Sequence, residues 1–235
     1  MTNGFANLKA SVRNNALAVL RAASPRYVLV FTEEWSRTHD RQKARKAVEG
    51  IHLSKQFDKW IDIWIAFLDV ELAFHQTKLS LRLLAADPTS SVDRGEWVNY
   101  HMDAWLFWTN SLLERYKKLV SKLVRQFVRP ANAQWQQVED QLLKRINHME
   151  QEVGKLRNPR AHGGGVFEGP FTKERLIGGI LAGSSVDAHL FENAARLQGL
   201  GYVGFNKCLE DAMKEMDAVS EQLDTLVDWN FAQSI

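Results

Sequence analysis

Residues 135–157 read WQQVEDQLLKRINHMEQEVGKLR, the most regular stretch of the chain. Apolar residues recur there at steps of three or four, a near-heptad period that lays one apolar stripe along an α-helix. Such a stripe suits packing against antiparallel helices of a bundle. The stretch therefore predicts a long amphipathic helix whose core-facing residues are Trp135, Val138, Leu142, Ile146, Met149, Val153 and Leu156.

Helical patterns also occupy most of the remaining chain. Residues 53–85 are apolar on most sides, which predicts a helix at the centre of the bundle. The predicted fold class is all-α: an up-and-down bundle of four or five long helices over 51–235, preceded by a short N-terminal helical extension over 1–50. Outside 135–157, we predict helices over about 9–22, 33–49, 53–85, 96–128, 186–197 and 206–229, and a strand or buried extended link at 26–31.

The composition indicates a globular chain in a reducing compartment. Hydrophobic residues make up 45% of the chain and charged residues 25%, as is usual for soluble domains. A single cysteine, Cys208, cannot form an internal disulfide. The N-terminus lacks the basic-then-apolar pattern of a secretory signal, and the most apolar stretch, 60–73, contains three carboxylates. We therefore expect a cytoplasmic protein with no membrane partner.

Basic residues are concentrated in one part of a chain whose net charge is only +2. Between Glu114 and Arg129 there are six basic residues and one acidic residue. A cluster of this kind permits a basic groove, but on charge alone the favoured interpretation is a set of solvated helix faces.

The candidate chemistry lies at Arg157-Asn158-Pro159-Arg160-Ala161-His162, which three glycines follow. A guanidinium group matches phosphate oxygens, and an imidazole acts as an acid or a base near neutral pH. The alternative interpretation is a helix stop, because asparagine before proline leaves the α region and glycine ends the helix. The histidines and the cysteine show no zinc or di-iron spacing, so we expect no metal and no cofactor.

Two carboxylates are candidates to support this site. Glu71 shares a helix face with large aromatic residues, and Asp103 lies among Trp105, Phe107 and Trp108. A carboxylate on an apolar face needs a partner, for which Arg157 is a candidate. The alternative is that each carboxylate turns toward solvent.

Long helices with an Arg-Asn-x-x-x-His motif at the junction of two of them resemble the HEPN superfamily (higher eukaryotes and prokaryotes nucleotide-binding). The resemblance covers roughly residues 53–229, and Arg157, Asn158 and His162 occupy the places of the catalytic motif. It implies metal-independent cleavage of RNA by a homodimer that shares one site. Under this hypothesis Arg160, Glu71 and Asp103 support the site, and the RNA-binding residues are Arg115, Lys118, Lys122 and Arg125.

Three functions remain open from the sequence. The first is an endoribonuclease of the toxin–antitoxin or phage-defence kind, with an antitoxin or a regulatory protein as a possible partner. The second is a catalytically silent HEPN-like helical dimer that binds a nucleotide or a protein. The third is a helical scaffold without a ligand. The presence of all three motif residues favours the first function.

Overall fold

The computed structural model describes residues 3–51, 53, 55–86, 94–130, 132–161 and 186–229. Within these ranges it contains helices and no strand, which confirms the all-α prediction. None of the described helices is both long enough and apolar enough to cross a membrane. The α-helices are α1 (Asn3–Ala23), α2 (Pro25–Thr38), α3 (Arg41–Ala47), α4 (Asp58–Ala85), α5 (Arg94–Leu123), α6 (Trp135–Ala161) and α7 (Val186–Leu226).

The predicted strand at 26–31 is wrong, because these residues belong to α2. Pro25 begins the helix at a position that suits its fixed φ and missing N–H. Tyr27 and Phe31 stack one helical turn apart, with ring centroids separated by 6.4 Å. Leu29 is 58% exposed, so the segment is not a buried link. Its apolar residues are consecutive, and so short a run does not distinguish the period of a helix from that of a strand.

The predicted helix over 33–49 is divided in two. His39 adopts a left-handed conformation with φ of 50°, and its N–H donates to the Trp35 carbonyl at 2.8 Å. Asp40 then caps α3, since its carboxylate accepts hydrogen bonds from the backbone N–H groups of Gln42 and Lys43. This local capping chemistry ends one helix and begins the next.

The chain forms two compact units. The first contains residues 1–68, 118–142 and 217–235. Its aromatic core joins Trp60 to Phe127 at a ring distance of 4.6 Å. At Gly4, an added Cβ would lie 2.6 Å from the Asp217 carbonyl oxygen, so α1 approaches α7 too closely for a side chain. The Phe5 N–H also donates to the Asp217 carboxylate at 3.1 Å.

The second unit contains residues 69–117 and 143–216. In it α4 and α5 run antiparallel, because Trp97 bonds the Leu83 carbonyl and Arg115 bonds the Asp69 carbonyl. The parallel helices α5 and α7 are joined by Trp105, whose ring stacks on Phe205 at 4.2 Å. The Tyr116 hydroxyl donates to the Met216 carbonyl at 2.7 Å further along the same two helices.

Helix α5 ends in a π-helix, Val124–Val128. The Arg129 N–H donates to the Val124 carbonyl at 2.8 Å, five residues back instead of four. The wider turn allows Val124, Phe127 and Val128 to be buried together.

Two further predictions about helices are wrong. The helices expected at 186–197 and 206–229 are parts of the single helix α7. Glycines between them lower helix propensity by roughly 1 kcal/mol each, but Phe205 within α7 packs on Trp105 and stabilises the continuous helix. Helix α4 is not buried on all sides, as the prediction of a central helix requires, since one side of it leaves five large aliphatic residues between 37% and 50% exposed.

Candidate active site

Helix α6 carries Arg157, Asn158 and Arg160 on its last two turns. Its predicted stripe is confirmed at Leu142, Ile146, Met149 and Val153, all of which are buried. The helix continues through Asn158 and Pro159 to Ala161, so the chain does not leave the α conformation at Asn158, as the alternative interpretation expected. Proline removes only one backbone donor so close to a helix end, and the buried stripe before it anchors the helix.

The motif side chains lie outside the described part of the structure, as does the whole of His162. The backbone of Arg157, Asn158 and Arg160 is described as helical. Its level, meaning its position along the axes of the neighbouring helices, can therefore be stated. Lys117 of α5 bonds Asn147 and Glu150 of α6, at 3.1 and 2.7 Å.

The level of Arg157 follows from that contact and from one between α6 and α7. Helices α5 and α6 are antiparallel, and each residue advances about 1.5 Å along a helix. These relations place the Arg157 backbone near the level of Thr109 on α5. On the other side Arg145 bonds Glu215, which places Arg157 near the level of Gly204 on α7.

Three buried polar atoms lie on α5 at this level and over about the next 12 Å toward its N-terminus. They are the Thr109 hydroxyl, the Trp105 indole nitrogen and the His101 Nε2, which have no hydrogen-bond partner in the described part of the structure. Thr109 and Trp105 are fully buried, and His101 is 5% exposed. Buried polar groups normally find partners, so this row of α5 side chains has unused hydrogen-bonding capacity within the described part of the structure.

His101 is a histidine that the sequence did not single out. Burial lowers the pKa of its imidazole below the ordinary value of about 6.5. The ring packs edge-on against Trp97, with centroids 4.2 Å apart. The repeat of 101, 105 and 109 at every fourth residue was visible in the sequence, but it reads as part of an aromatic core stripe.

We expect His101 to make folding stability sensitive to acid. Below about pH 6.5 the unfolded imidazole binds a proton that the folded one resists, so stability falls as pH decreases and is retained above that value. Urea unfolding of the wild type at pH 5.5 and 7.5 should show a loss that is smaller in His101→Phe. Met102→Leu alters a neighbouring buried side chain without a titratable group and should keep the wild-type loss. An equal loss in His101→Phe would contradict the prediction.

The two candidate supporting carboxylates occupy different environments. Asp103 is exposed on α5, which agrees with the alternative in which this carboxylate turns toward solvent. It lies two residues before Trp105 and therefore points about 200° away from that buried ring, on the side of the exposed Phe107. Glu71 is half-buried on α4. Pairing of either carboxylate with Arg157 stays a prediction.

A groove of about 550 Å³ lies between α6 and α7, before the motif. Its charged and titratable lining is His148, Glu152, Lys207, Cys208, Asp211 and Glu215. Burial raises the pKa of the Cys208 thiol, and the carboxylates of Asp211 and Glu152 raise it further. Cys208 is therefore a poorly reactive thiol at neutral pH. The sequence did not predict this groove, because it depends on the register of two distant helices.

The predicted RNA-binding residues of α5 are mostly engaged by the chain itself. In the second unit, Arg115 donates to the Asp69 carbonyl at 3.1 Å. In the first unit, Lys122 lies 3.4 Å from the Asp62 carbonyl, and Arg125 pairs with the buried Glu139 at 3.0 Å. Lys118 and Arg125 are the two exposed members of the set. Phosphate binding by these residues stays a prediction.

Within the described ranges, no group of three or more histidine, cysteine or acidic side chains is arranged to hold a metal ion. No protein-family model, curated protein or solved structure matches the chain.

Proposed function

We propose that the protein is a metal-independent endoribonuclease of the HEPN type, with Arg157, Asn158 and His162 as its catalytic residues. The observation that supports the proposal is the position of Arg157 and Asn158 on the last two turns of a long helix in an all-α fold. The motif is expected at such a helix end. The buried stripe of α6 holds that helix against its neighbours and gives the motif a rigid base.

The chemistry assigned to the motif is transfer of a phosphodiester within the RNA. The 2′-hydroxyl oxygen bonds to the adjacent phosphorus while the bond from phosphorus to the 5′-oxygen breaks. One histidine accepts the proton of the 2′-hydroxyl, and another donates a proton to the leaving oxygen. Arg157 stabilises the charge on the remaining phosphate oxygens, and Asn158 orients the histidine or the substrate.

A site with one histidine in each chain requires two copies of the chain. In the proposed homodimer each copy contributes Arg157 and His162, so that an acid and a base are both available. Arg160, Glu71 and Asp103 are the supporting residues of the proposed site. Of the two carboxylates, Glu71 is half-buried and Asp103 is exposed. Within this proposal the enzyme acts as a toxin or in phage defence, and an antitoxin or regulatory protein controls it.

Analysis of the products tests this function. Single-stranded RNA labelled at its 5′ end should yield fragments that end in 2′,3′-cyclic phosphate, because the neighbouring hydroxyl is the nucleophile. DNA of the same sequence should resist cleavage, since it lacks that hydroxyl. Activity should persist in a chelator, because side chains carry the proposed chemistry. Products ending in 3′-hydroxyl groups would contradict this mechanism.

We expect Lys118 to contribute to RNA binding. Charge reversal in Lys118→Glu removes an exposed cation, so affinity for single-stranded RNA should fall. The slope of log affinity against log salt should decrease in magnitude by about 0.7 for one lost phosphate contact. Fluorescence anisotropy at several salt concentrations measures both effects. Lys59→Glu, at an exposed site on α4, is the matched control. If the slope of log affinity against log salt is unchanged in Lys118→Glu, Lys118 does not contact RNA phosphate and is simply solvated.

The groove between α6 and α7 favours a second candidate function, a catalytically silent dimer that binds a nucleotide. Its volume of about 550 Å³ lies within the usual range for small-molecule sites. Calorimetry with nucleoside monophosphates distinguishes the two functions. Nucleotide binding that Asp211→Asn changes, in a protein that cleaves no RNA, would favour the silent dimer.

A further inference from the structure

Two stripes run along opposite sides of α4. The inner stripe recurs at steps of three and four and is buried: Trp60, Ile63, Phe67, Val70, Phe74, Thr77, Leu81 and Leu84. The second, here called the outer stripe, has the same spacing and is exposed: Ile61, Ile65, Leu68, Leu72, His75 and Leu79. Both stripes belong to one helix, so their alignment follows from helix geometry alone.

The outer stripe has the pattern of a coiled-coil seam. Its members follow one another at steps of four and three, so they occupy the a and d positions of a heptad repeat. Five large aliphatic residues at such positions rarely face water in a continuous row. This face of α4 is therefore suited to packing against another helix.

Charged residues close the outer stripe at both ends. Asp58 and Arg82 continue the same heptad positions, and both are exposed. The stripe is consequently acidic at its N-terminal end and basic at its C-terminal end. A helix with this pattern is complementary in charge to an antiparallel copy of itself.

We propose that the outer stripe of α4 pairs with the outer stripe of a second copy of this chain, in antiparallel orientation. A two-fold axis midway between Leu68 and Leu72 places Leu68 opposite the partner's Leu72. The same register places Ile61 opposite the partner's Leu79. It also places Ile65 opposite the partner's His75 and Asp58 opposite the partner's Arg82, so opposite charges meet at both ends of the seam.

Charge favours this arrangement over a parallel one. A parallel pair in register would set Asp58 against the partner's Asp58 and Arg82 against the partner's Arg82, which are like charges. The stripe from Asp58 to Arg82 is about 36 Å long and about 11 Å wide, or roughly 400 Å² on each copy. The two copies together bury roughly 800 Å², less than the about 1,000 Å² of a stable specific interface, so a weak dimer with a micromolar dissociation constant is expected.

Sedimentation velocity of the full chain from 1 to 100 μM tests the pairing. The wild type should form dimers, and Leu72→Glu should raise the dissociation constant by at least about 100-fold, because it buries a carboxylate in the seam. Leu29→Glu changes an exposed leucine on α2 and should leave the dimer intact. A monomeric wild type, or equal dimer loss in both variants, would overturn the proposal. If the wild type is monomeric, the outer stripe of α4 is instead suited to a helix of another protein.

A charge exchange tests the antiparallel register. Asp58→Arg and Arg82→Asp should each weaken the dimer by about tenfold, because each sets like charges opposite one another. The double variant Asp58→Arg/Arg82→Asp restores opposite charges and should recover the wild-type dissociation constant. Two weakened single variants without recovery in the double variant would overturn this register.

Pairing through α4 goes beyond the proposed ribonuclease and does not rest on it. Its surface contains no motif residue, and RNA cleavage is a separate measurement. Cleavage that persists in a monomeric Leu72→Glu protein would support pairing and contradict the shared site. The His162→Ala variant should lose RNA cleavage and keep the wild-type dissociation constant of the α4 dimer.

Discussion

His162→Ala is expected to abolish cleavage of single-stranded RNA while the protein stays folded. The mechanism needs an imidazole to accept and donate protons, and alanine supplies none. Arg157→Ala should reduce cleavage nearly as much, because loss of charge stabilisation at the phosphate costs on the order of 3 kcal/mol, roughly a hundredfold in rate. Single-turnover cleavage rates, with circular dichroism to verify helicity, provide the measurement.

His39→Asn is the matched control for this experiment. It removes an exposed imidazole far from the motif in sequence, and asparagine tolerates the left-handed conformation found at that position. Its cleavage rate should equal that of the wild type. Robust cleavage by His162→Ala protein that is free of contaminating nuclease would refute the proposed mechanism.

Trp60→Ala is expected to lower the free energy of unfolding by about 3–5 kcal/mol, since it removes a large buried aromatic side chain. Trp60 is 2% exposed, and its ring packs 4.6 Å from that of Phe127. Phe127 in turn lies 6.0 Å from Trp229, so the cavity would open inside an aromatic cluster. Urea denaturation followed by circular dichroism measures the loss.

Trp35→Ala provides the comparison, because Trp35 is 41% exposed on α2. Its truncation should cost well under half as much as that of Trp60, since less of its surface is removed from water on folding. Similar losses in the two variants would show that the aromatic cluster around Trp60 does not dominate the stability of its unit.

The all-α class and the long helices could be predicted because their apolar periods are strong. The stripe of α6 is buried where the sequence placed it, from Leu142 to Val153. Shorter features failed where local chemistry competed with the pattern. The apolar run at 26–31 reads equally well as a strand, and the left-handed His39 depends on a single backbone angle.

Other features could not be predicted, because they depend on the register between distant helices. Apolar residues on all sides of α4 indicated a central helix, since periodicity does not distinguish a buried apolar face from an exposed one. The groove beside Cys208 and the buried polar row at His101 arise only when α5, α6 and α7 are aligned. The motif itself was recognisable because its residues are contiguous.

The π-helix at Val124–Val128 has an evolutionary consequence. It is equivalent to one extra residue in an α-helix, so loss of a single codon there would return the turn to ordinary hydrogen bonding. Loss of a codon earlier in α5 would instead rotate every following side chain by about 100° and carry core residues to the surface. Length differences of one residue among descendants of this gene should therefore accumulate at this turn.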